Sequence, residues 1–325
     1  MIHAIICYSE VFLSDKHIID TSSNEIWKEA DNFEDWETSR PLLFRDDLRD
    51  TFFRWFHIKP SDYVLDGGCA TGVLTRFIAK GLDTGSIIGF DISHNFVEYG
   101  NQKITELGLS NKAKIVHEDG FSLSFADNTF DAVVNHAYLG VLSDNMAGLY
   151  ELIRVCKNGG HVSASVSGRS FPAIHWAGDS PFVGESRLNE LIAKNEEAYQ
   201  KITTGAALKQ DLYWNGFRFP RLFAKCGLKN VTIHPYASGF SYNDSYWSDE
   251  FKVYRIKSGI GREIEILEKQ RENPKYSEHG FMQRDFDELI ALYHQKQDYL
   301  LANITNDDSW EWDAKMHYIV TGTKG

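Results

Sequence analysis

The ten residues Tyr63–Gly72, YVLDGGCATG, constrain this chain more than any other stretch. Tyr63, Val64 and Leu65 form a short apolar run of β-forming residues, bounded before by Pro60, Ser61 and Asp62. Asp66 then opens a turn of small residues, Gly67, Gly68, Cys69, Ala70, Thr71 and Gly72. Beyond it Val73, Leu74, Phe77 and Ile78 recur at helical spacing. A buried strand, a turn without bulk and a helix make the opening unit of a nucleotide-binding α/β fold. Small side chains let a ligand approach the backbone, and the first helical turn offers unpaired N–H groups. The dinucleotide fingerprint G-x-G-x-x-G fits no alignment of Gly67, Gly68 and Gly72, which disfavours a nicotinamide or flavin site.

Strand and helix patterns continue to alternate down the chain. Ser86–Ile92, SIIGFDI, reads as a second buried strand ending in an acid. Asp91 stands where a nucleotide fold places the carboxylate that accepts ribose hydroxyls. A turn or capping role is the plain alternative, weakened because Ser93 can already cap the helix Asn95–Leu107, which stops at Gly108. Ala113–His117 is a third strand, followed by Glu118, Asp119, Gly120 and Phe121. Phe130–Leu139 is a fourth, and Ser143 or Asp144 can cap the helix after it. Lys157–Gly160 ends that helix, and His161–Val166 starts a fifth strand. Such alternation implies a parallel sheet with its ligand across the C-terminal strand ends.

The turn reads D-x-G-x-A-x-G from Asp66 to Gly72, and Phe130 opens an F-D-x-V strand after a polar turn. In both features the chain resembles the class I S-adenosylmethionine-dependent methyltransferases, whose first motif is usually D/E-x-G-x-G-x-G; Ala70 replaces the middle glycine. The resemblance runs from Tyr63 to Gly168. It implies a Rossmann-like, doubly wound α/β fold with a mostly parallel seven-stranded sheet and a helical cap. It also implies S-adenosylmethionine as cofactor, held by Asp66, Gly67, Gly68, Ala70, Gly72, Asp91, Ile92, Asp119, Gly120, Phe121 and Asn135. Asp119 matches the acid that bonds the adenine amino group in that family, and an N-terminal helix lies over the cofactor. Arg40 and Arg45 could then meet the cofactor carboxylate, against the plainer reading of surface salt bridges.

Methyl transfer from a sulfonium needs alignment and exclusion of water more than a covalent nucleophile. His136, at the end of the fourth strand, is the candidate base, with Tyr138 second, because imidazole suits proton transfer near neutral pH. The plain alternative is a histidine that bonds the backbone or positions the cofactor. Cys69 reads as packing, and Asp131 with Asp144 is too incomplete a cluster for a metal, so none is expected. Family members acting on ubiquinone or menaquinone precursors are nearest in kind, but the cap departs from them and their substrate is not carried over. Two other readings stay open: a non-methylating enzyme on the same fold, and a binding protein that has lost catalysis.

The flanking segments suggest five regions: 1–56 with a cap helix, 57–168 as the cofactor core, 169–239 as cap helix plus remaining core, 240–315 as a helical lid, and 316–325 as the closing edge strand. Ile2–Val11 reads as a strand, and Pro41 as the start of a helix bearing Leu48, Phe52, Trp55 and Phe56. Arg169–Gly184 reads as a loop, Asn230–Tyr236 as a sixth strand and Met316–Thr321 as the antiparallel last one. Trp247–Glu272 and Met282–Ala302 read as helices of the insertion. Trp176, Tyr213, Trp214, Tyr242, Trp310 and Trp312 are candidate walls of an acceptor pocket, or simply the cap's own core.

A formal net charge of −12 argues against a nucleic-acid surface, which needs basic patches to displace counterions. No apolar run is long enough to span a bilayer, which argues against a membrane partner. Four well-separated cysteines, none in C-x-x-C spacing, fit reduced thiols and a cytoplasmic location. A small-molecule acceptor is therefore the expected partner; a homodimer and a partner-binding surface on the cap are the further associations the sequence leaves open.

Overall fold

A computed structural model of the chain describes residues 28, 33–166, 173–176, 182–203, 218–304 and 311–325. The chain divides into two compact units. Among the described residues the larger holds 28, 33–166, 218–237 and 316–325, and the smaller holds 173–176, 182–203, 238–304 and 311–315.

The larger unit begins with helices α1 (Phe33–Leu43) and α2 (Arg49–Phe56). Strands β1 (Tyr63–Gly67), β2 (Ser86–Asp91), β3 (Ala113–His117), β4 (Phe130–His136) and β5 (Cys156–Val166) then run parallel, in the order β3-β2-β1-β4-β5. Helices α3 (Val73–Ala79), α4 (His94–Glu106) and α5 (Asn145–Val155) make crossovers between them. Three more strands follow, β6 (Ala173–Trp176), β7 (Lys229–Ser241) and β8 (Trp312–Thr323). β8 lies antiparallel to β5, from Val166↔Tyr318 to His161↔Thr323, and β7 pairs with β8.

Both faces of the central strands β1, β2 and β4 are covered, so they are buried almost throughout, while β3 at the edge alternates between buried and exposed residues. Alternate residues go to opposite faces. Val64, Ile87, Ala132 and Val134 join one buried cluster with Phe52, Phe56, Phe77 and Ile78. Leu65, Ile88, Phe90 and Val133 join the other with Leu149, Leu152, Val162 and Phe223. β1 sits where the strand order reverses, between β2 and β4, and ligands bind at such a switch point in open α/β sheets. The doubly wound sheet expected from the sequence is thus present, with seven strands, β1–β5, β7 and β8, contributing to the larger unit.

Three local expectations need correction. Pro41 does not start a helix but lies in the last turn of α1, after which Asp46–Leu48 forms a 3₁₀ turn and α2 begins separately. With no N–H, Pro41 cannot bond back along α1, and the helix ends two residues later. Lys157–Gly160 is not a helix stop but a bulged part of β5, whose pairing jumps from Phe130↔Cys156 to Ala132↔His161. Finally, the segment read as the loop Arg169–Gly184 contains the short strand β6, which pairs with residues 312–315 in the smaller unit.

Besides β6, the smaller unit holds helices α6 (Glu185–Thr203), α8 (Asp249–Arg271), α9 (Lys275–Glu278) and α10 (Gln283–Ala302), while α7 (Phe219–Lys225) belongs to the larger. α10 packs on α8 and α6 through Phe286, Leu289, Tyr293 and Leu300, all buried; Ile290 and Leu301 are half-buried. Ser248 caps α8, its hydroxyl accepting from the Phe251 N–H at 3.2 Å. Asp285 folds back on α10 to accept from the Met282 N–H at 2.7 Å, and Lys194 pairs with it at 2.6 Å. Among the described residues no helix is long and apolar enough to cross a membrane.

Candidate cofactor site

The turn after β1 is held by its backbone. The Cys69 N–H donates to Phe90 O at 2.9 Å, and the Gly72 N–H to Cys69 O at 2.9 Å. Gly68, Ala70 and Gly72 take the left-handed conformation, with φ of 61°, 48° and 80°. For Ala70 this is strained, and residues held so cluster at ligand sites. At Gly68 there is also no room: a Cβ would lie 2.2 Å from Cδ2 of Tyr138.

Asp91 fastens the end of β2 to this turn. One carboxylate oxygen accepts from the Ala70 N–H at 2.8 Å and the other from the Ser93 N–H at 3.0 Å. Ser93 itself caps α4, accepting from the Phe96 N–H at 3.3 Å, so the capping alternative for Asp91 is filled by its neighbour. A carboxylate has about four acceptor sites, so these backbone donors leave room for a ligand. Burial raises the Asp91 pKa, partly offset by these backbone donors. Asp66, at the end of β1, is 1% exposed and accepts from the Thr75 hydroxyl at 2.7 Å. Burial pushes its carboxyl up to about 7, and the nearby Asp91 adds to the rise.

The other expected residues surround the same strand ends. Ile92 is half-buried, and its carbonyl meets His117 Nε2 at 3.0 Å. Asp119 is exposed, with one oxygen accepting from the Phe121 N–H at 3.0 Å. The Glu118 N–H donates to Asp91 O at 3.1 Å, which ties the end of β3 to that of β2. Gly120 is buried, and a Cβ there would lie 1.7 Å from the Tyr138 hydroxyl. Tyr138 therefore spans from the β1 turn to the β3 turn, its ring edge-on to Phe90 at 5.7 Å. Its hydroxyl is buried without a hydrogen-bond partner among the described residues, and burial raises its pKa far above the phenol range. At neutral pH Tyr138 is a donor, not a base. Asn135 is fully buried; its Nδ2 donates to Ser163 O at 3.0 Å, and its Oδ1 has no partner among the described residues.

His136 ends β4, and the next residue, Ala137, is again left-handed with φ of 57°. The ring is half-buried and sits edge-on to Phe44 at 5.2 Å. His136 Nδ1 lies 3.1 Å from the Ser165 hydroxyl, which lies 3.0 Å from the Tyr236 hydroxyl. These second residues come from β5 and β7, and no local pattern near His136 points to them. Thr75, the partner of Asp66, likewise carries no signal in the sequence, although it stands in the first turn of α3.

Several neighbours have structural work instead. Arg45 forks onto Asp47 with two contacts of 3.0 Å, and Arg40 lies over the Trp36 ring at 4.4 Å. Burial raises the Cys69 thiol well above its usual pKa, which keeps it protonated and a poor nucleophile. Asp131 accepts from the Tyr63 N–H at 2.9 Å and from Lys157 at 2.6 Å, while Asp144 caps α5. Among the described residues no three His, Cys, Asp or Glu side chains are gathered as a metal site. Of the six candidate acceptor walls, Tyr242 is buried and Trp312 is 38% exposed, both in the smaller unit. The side chain of Trp176, and Tyr213, Trp214 and Trp310, lie outside the described residues, as does the expected strand Ile2–Val11.

Comparison with known proteins falls on the same stretch. The family described as a methyltransferase domain matches residues 64–160. A demethylmenaquinone methyltransferase of Bacillus cereus is 28% identical over 194 residues, covering 57% of this chain and 78% of that enzyme. Among solved structures, phosphoethanolamine N-methyltransferase 2 of Haemonchus contortus, bound to phosphomonomethylethanolamine and S-adenosylhomocysteine, aligns with a TM-score of 0.42 and 16% identity. That alignment covers 86% of this chain, which spans about half of the nematode enzyme, 52% of its length. An S-adenosylmethionine-dependent methyltransferase of Aquifex aeolicus aligns with a TM-score of 0.38 and 23% identity, over 42% of this chain and 73% of that one. With the turn spacing, the reversal of strand order at β1 and the family match all on one segment, the chain carries a class I S-adenosylmethionine-dependent methyltransferase domain.

Proposed function

We propose that this domain methylates a small-molecule acceptor, with the cofactor lying along the ends of β1, β2, β3 and β4. The observation that carries the reading is the pair Asp66 and Asp91 beside a glycine turn too tight for side chains. Both carboxyls are desolvated enough to have raised pKa values, and a ligand bearing positive charge relieves that cost. S-adenosylmethionine supplies that charge, together with an electrophilic methyl group on its sulfonium.

The residues divide the work as follows. Gly67, Gly68, Ala70 and Gly72 leave the turn backbone open to the methionine part, with Asp66 behind it. Asp91 offers its remaining acceptor capacity to the ribose hydroxyls. Ile92, Asp119, Gly120 and Phe121 frame the adenine. Asn135 and Tyr138 supply the buried acceptor and donor that lack partners among the described residues. His136, steadied by Ser165 and Tyr236, takes the proton that a hydroxyl acceptor sheds as it forms its new bond to carbon.

The relatives support a small acceptor, since the Bacillus cereus enzyme is named for demethylmenaquinone and the matched region covers most of its length. The test is product analysis. Incubating the chain with S-adenosylmethionine and a pool of quinol, phenol and amine acceptors should accumulate S-adenosylhomocysteine together with one methylated product in equal amount. Cofactor binding with no S-adenosylhomocysteine across the whole pool would leave a binding protein instead, and the methylation reading would fall.

A further inference from the structure

Arg255 is the least expected side chain in the smaller unit. It sits in the second turn of α8 and is 4% exposed. Its Nε is buried without a hydrogen-bond partner, and among the described residues no carboxylate lies within ion-pair reach of the guanidinium. What it has is a ring: the guanidinium carbon lies 5.5 Å from the Phe240 centroid. A cation–π contact returns much less than burying an arginine costs, and a buried guanidinium is normally forked onto an anion.

Glu311 and Asp313 both stand near enough to act on Tyr242, yet among the described residues neither pairs with the guanidinium. Glu311 is buried too, but Lys296 already holds it at 2.5 Å while also pairing with Glu185. Asp285 is taken by Lys194. Lys252, one turn before Arg255 and 6% exposed, has only a 3.5 Å contact with Asp249. Each of these lysines thus has a carboxylate of its own, and Arg255 is left without one among the described residues. Beside the guanidinium stands an aromatic wall. Phe240 meets Tyr242 at 5.0 Å and Trp247 at 6.1 Å, and Trp247 stacks on Phe251 at 4.6 Å. Tyr242 is also close enough to Arg255 for the cation to pull its phenol pKa down against the larger effect of burial.

We propose that Arg255 anchors an anion-binding site in the smaller unit, which takes the carboxylate or phosphate group of a small organic molecule whose apolar part rests on Phe240, Tyr242 and Trp247. The planar fork fits either group through two parallel hydrogen bonds. The site stands apart from the assignment of methyl transfer, because it draws on no residue of the cofactor site.

Calorimetric titration of the full chain with benzoate, and separately with inorganic phosphate, tests it at matched ionic strength. At least one probe should bind wild type saturably; benzoate alone points to a carboxylate ligand and phosphate alone to a phosphoryl one. Arg255→Met should lose at least about tenfold in affinity, and Arg255→Lys should keep part of it, having charge without the fork. S-adenosylhomocysteine affinity should be the same in all three proteins. Losing an unpaired buried charge should also leave the melting temperature of Arg255→Met unchanged or raised. Absence of saturable binding of both probes to wild type would overturn the proposal, as would an Arg255→Met protein that binds them equally well. A large fall in melting temperature would do the same, by making the guanidinium a structural member.

Discussion

Replacing Gly68 with valine is expected to abolish measurable S-adenosylhomocysteine binding and to lower stability by about 2–4 kcal/mol. The backbone contributes the first part, because at φ of 61° a β-branched residue is a genuine outlier. Crowding contributes the second: the new Cβ would stand 2.2 Å from the Tyr138 ring, itself wedged against Phe90 and the β3 turn. The turn must then leave the path that lets Ala70 donate to Asp91, and the cofactor loses both the open backbone and the placed carboxylate. Thermal melting and calorimetry on the same sample check it. Wild-type affinity in a folded Gly68→Val protein would show that the ligand does not pass over this turn.

The second large effect is on turnover. His136→Ala should slow methylation of a hydroxyl acceptor by roughly 10²–10⁴-fold while leaving cofactor affinity close to wild type. The reasoning rests on placement at the end of β4, beside the left-handed Ala137, and on the Ser165 and Tyr236 hydroxyls that fix the ring. Since the Tyr236 hydroxyl holds the Ser165 hydroxyl that meets Nδ1, Tyr236→Phe should give a smaller loss of the same kind, in kcat more than in KM. Single-turnover rates and calorimetry separate the two quantities. A His136→Ala enzyme with near-normal turnover would mean that the acceptor needs no base and that alignment carries the reaction.

What the sequence made legible was the part governed by local sterics and by period. A turn of small residues between an apolar run and a helical pattern has few other structures open to it, so β1, its turn and α3 are where YVLDGGCATG puts them. A strand buried on both faces, such as SIIGFD, or one that alternates buried and exposed residues, such as AKIVH, reads as a strand without any knowledge of its neighbours. Proline and glycine were more ambiguous. Pro41 fits a first helical turn or a last one, and only the upstream residues from Phe33 decide for the last. Asn158 and Gly159 look like a helix stop, yet the left-handed Gly159 serves a bulge within β5. Contacts between distant segments left no local trace at all. Nothing near Tyr138 announces that its ring lies against Gly68 and its hydroxyl against Gly120. Nor does the helical pattern around Arg255 reveal that its guanidinium is buried, because charged residues in α8 read as a solvated face until the packing is known.

The central claim is that the turn Asp66–Gly72 with Asp91 receives S-adenosylmethionine and not a dinucleotide. Calorimetric titration of the full chain with S-adenosylmethionine, S-adenosylhomocysteine and NAD, run side by side, tests it most directly. The account predicts saturable one-to-one binding of the first two and no heat of binding with NAD. Tight binding of NAD with no response to either S-adenosyl compound would contradict it.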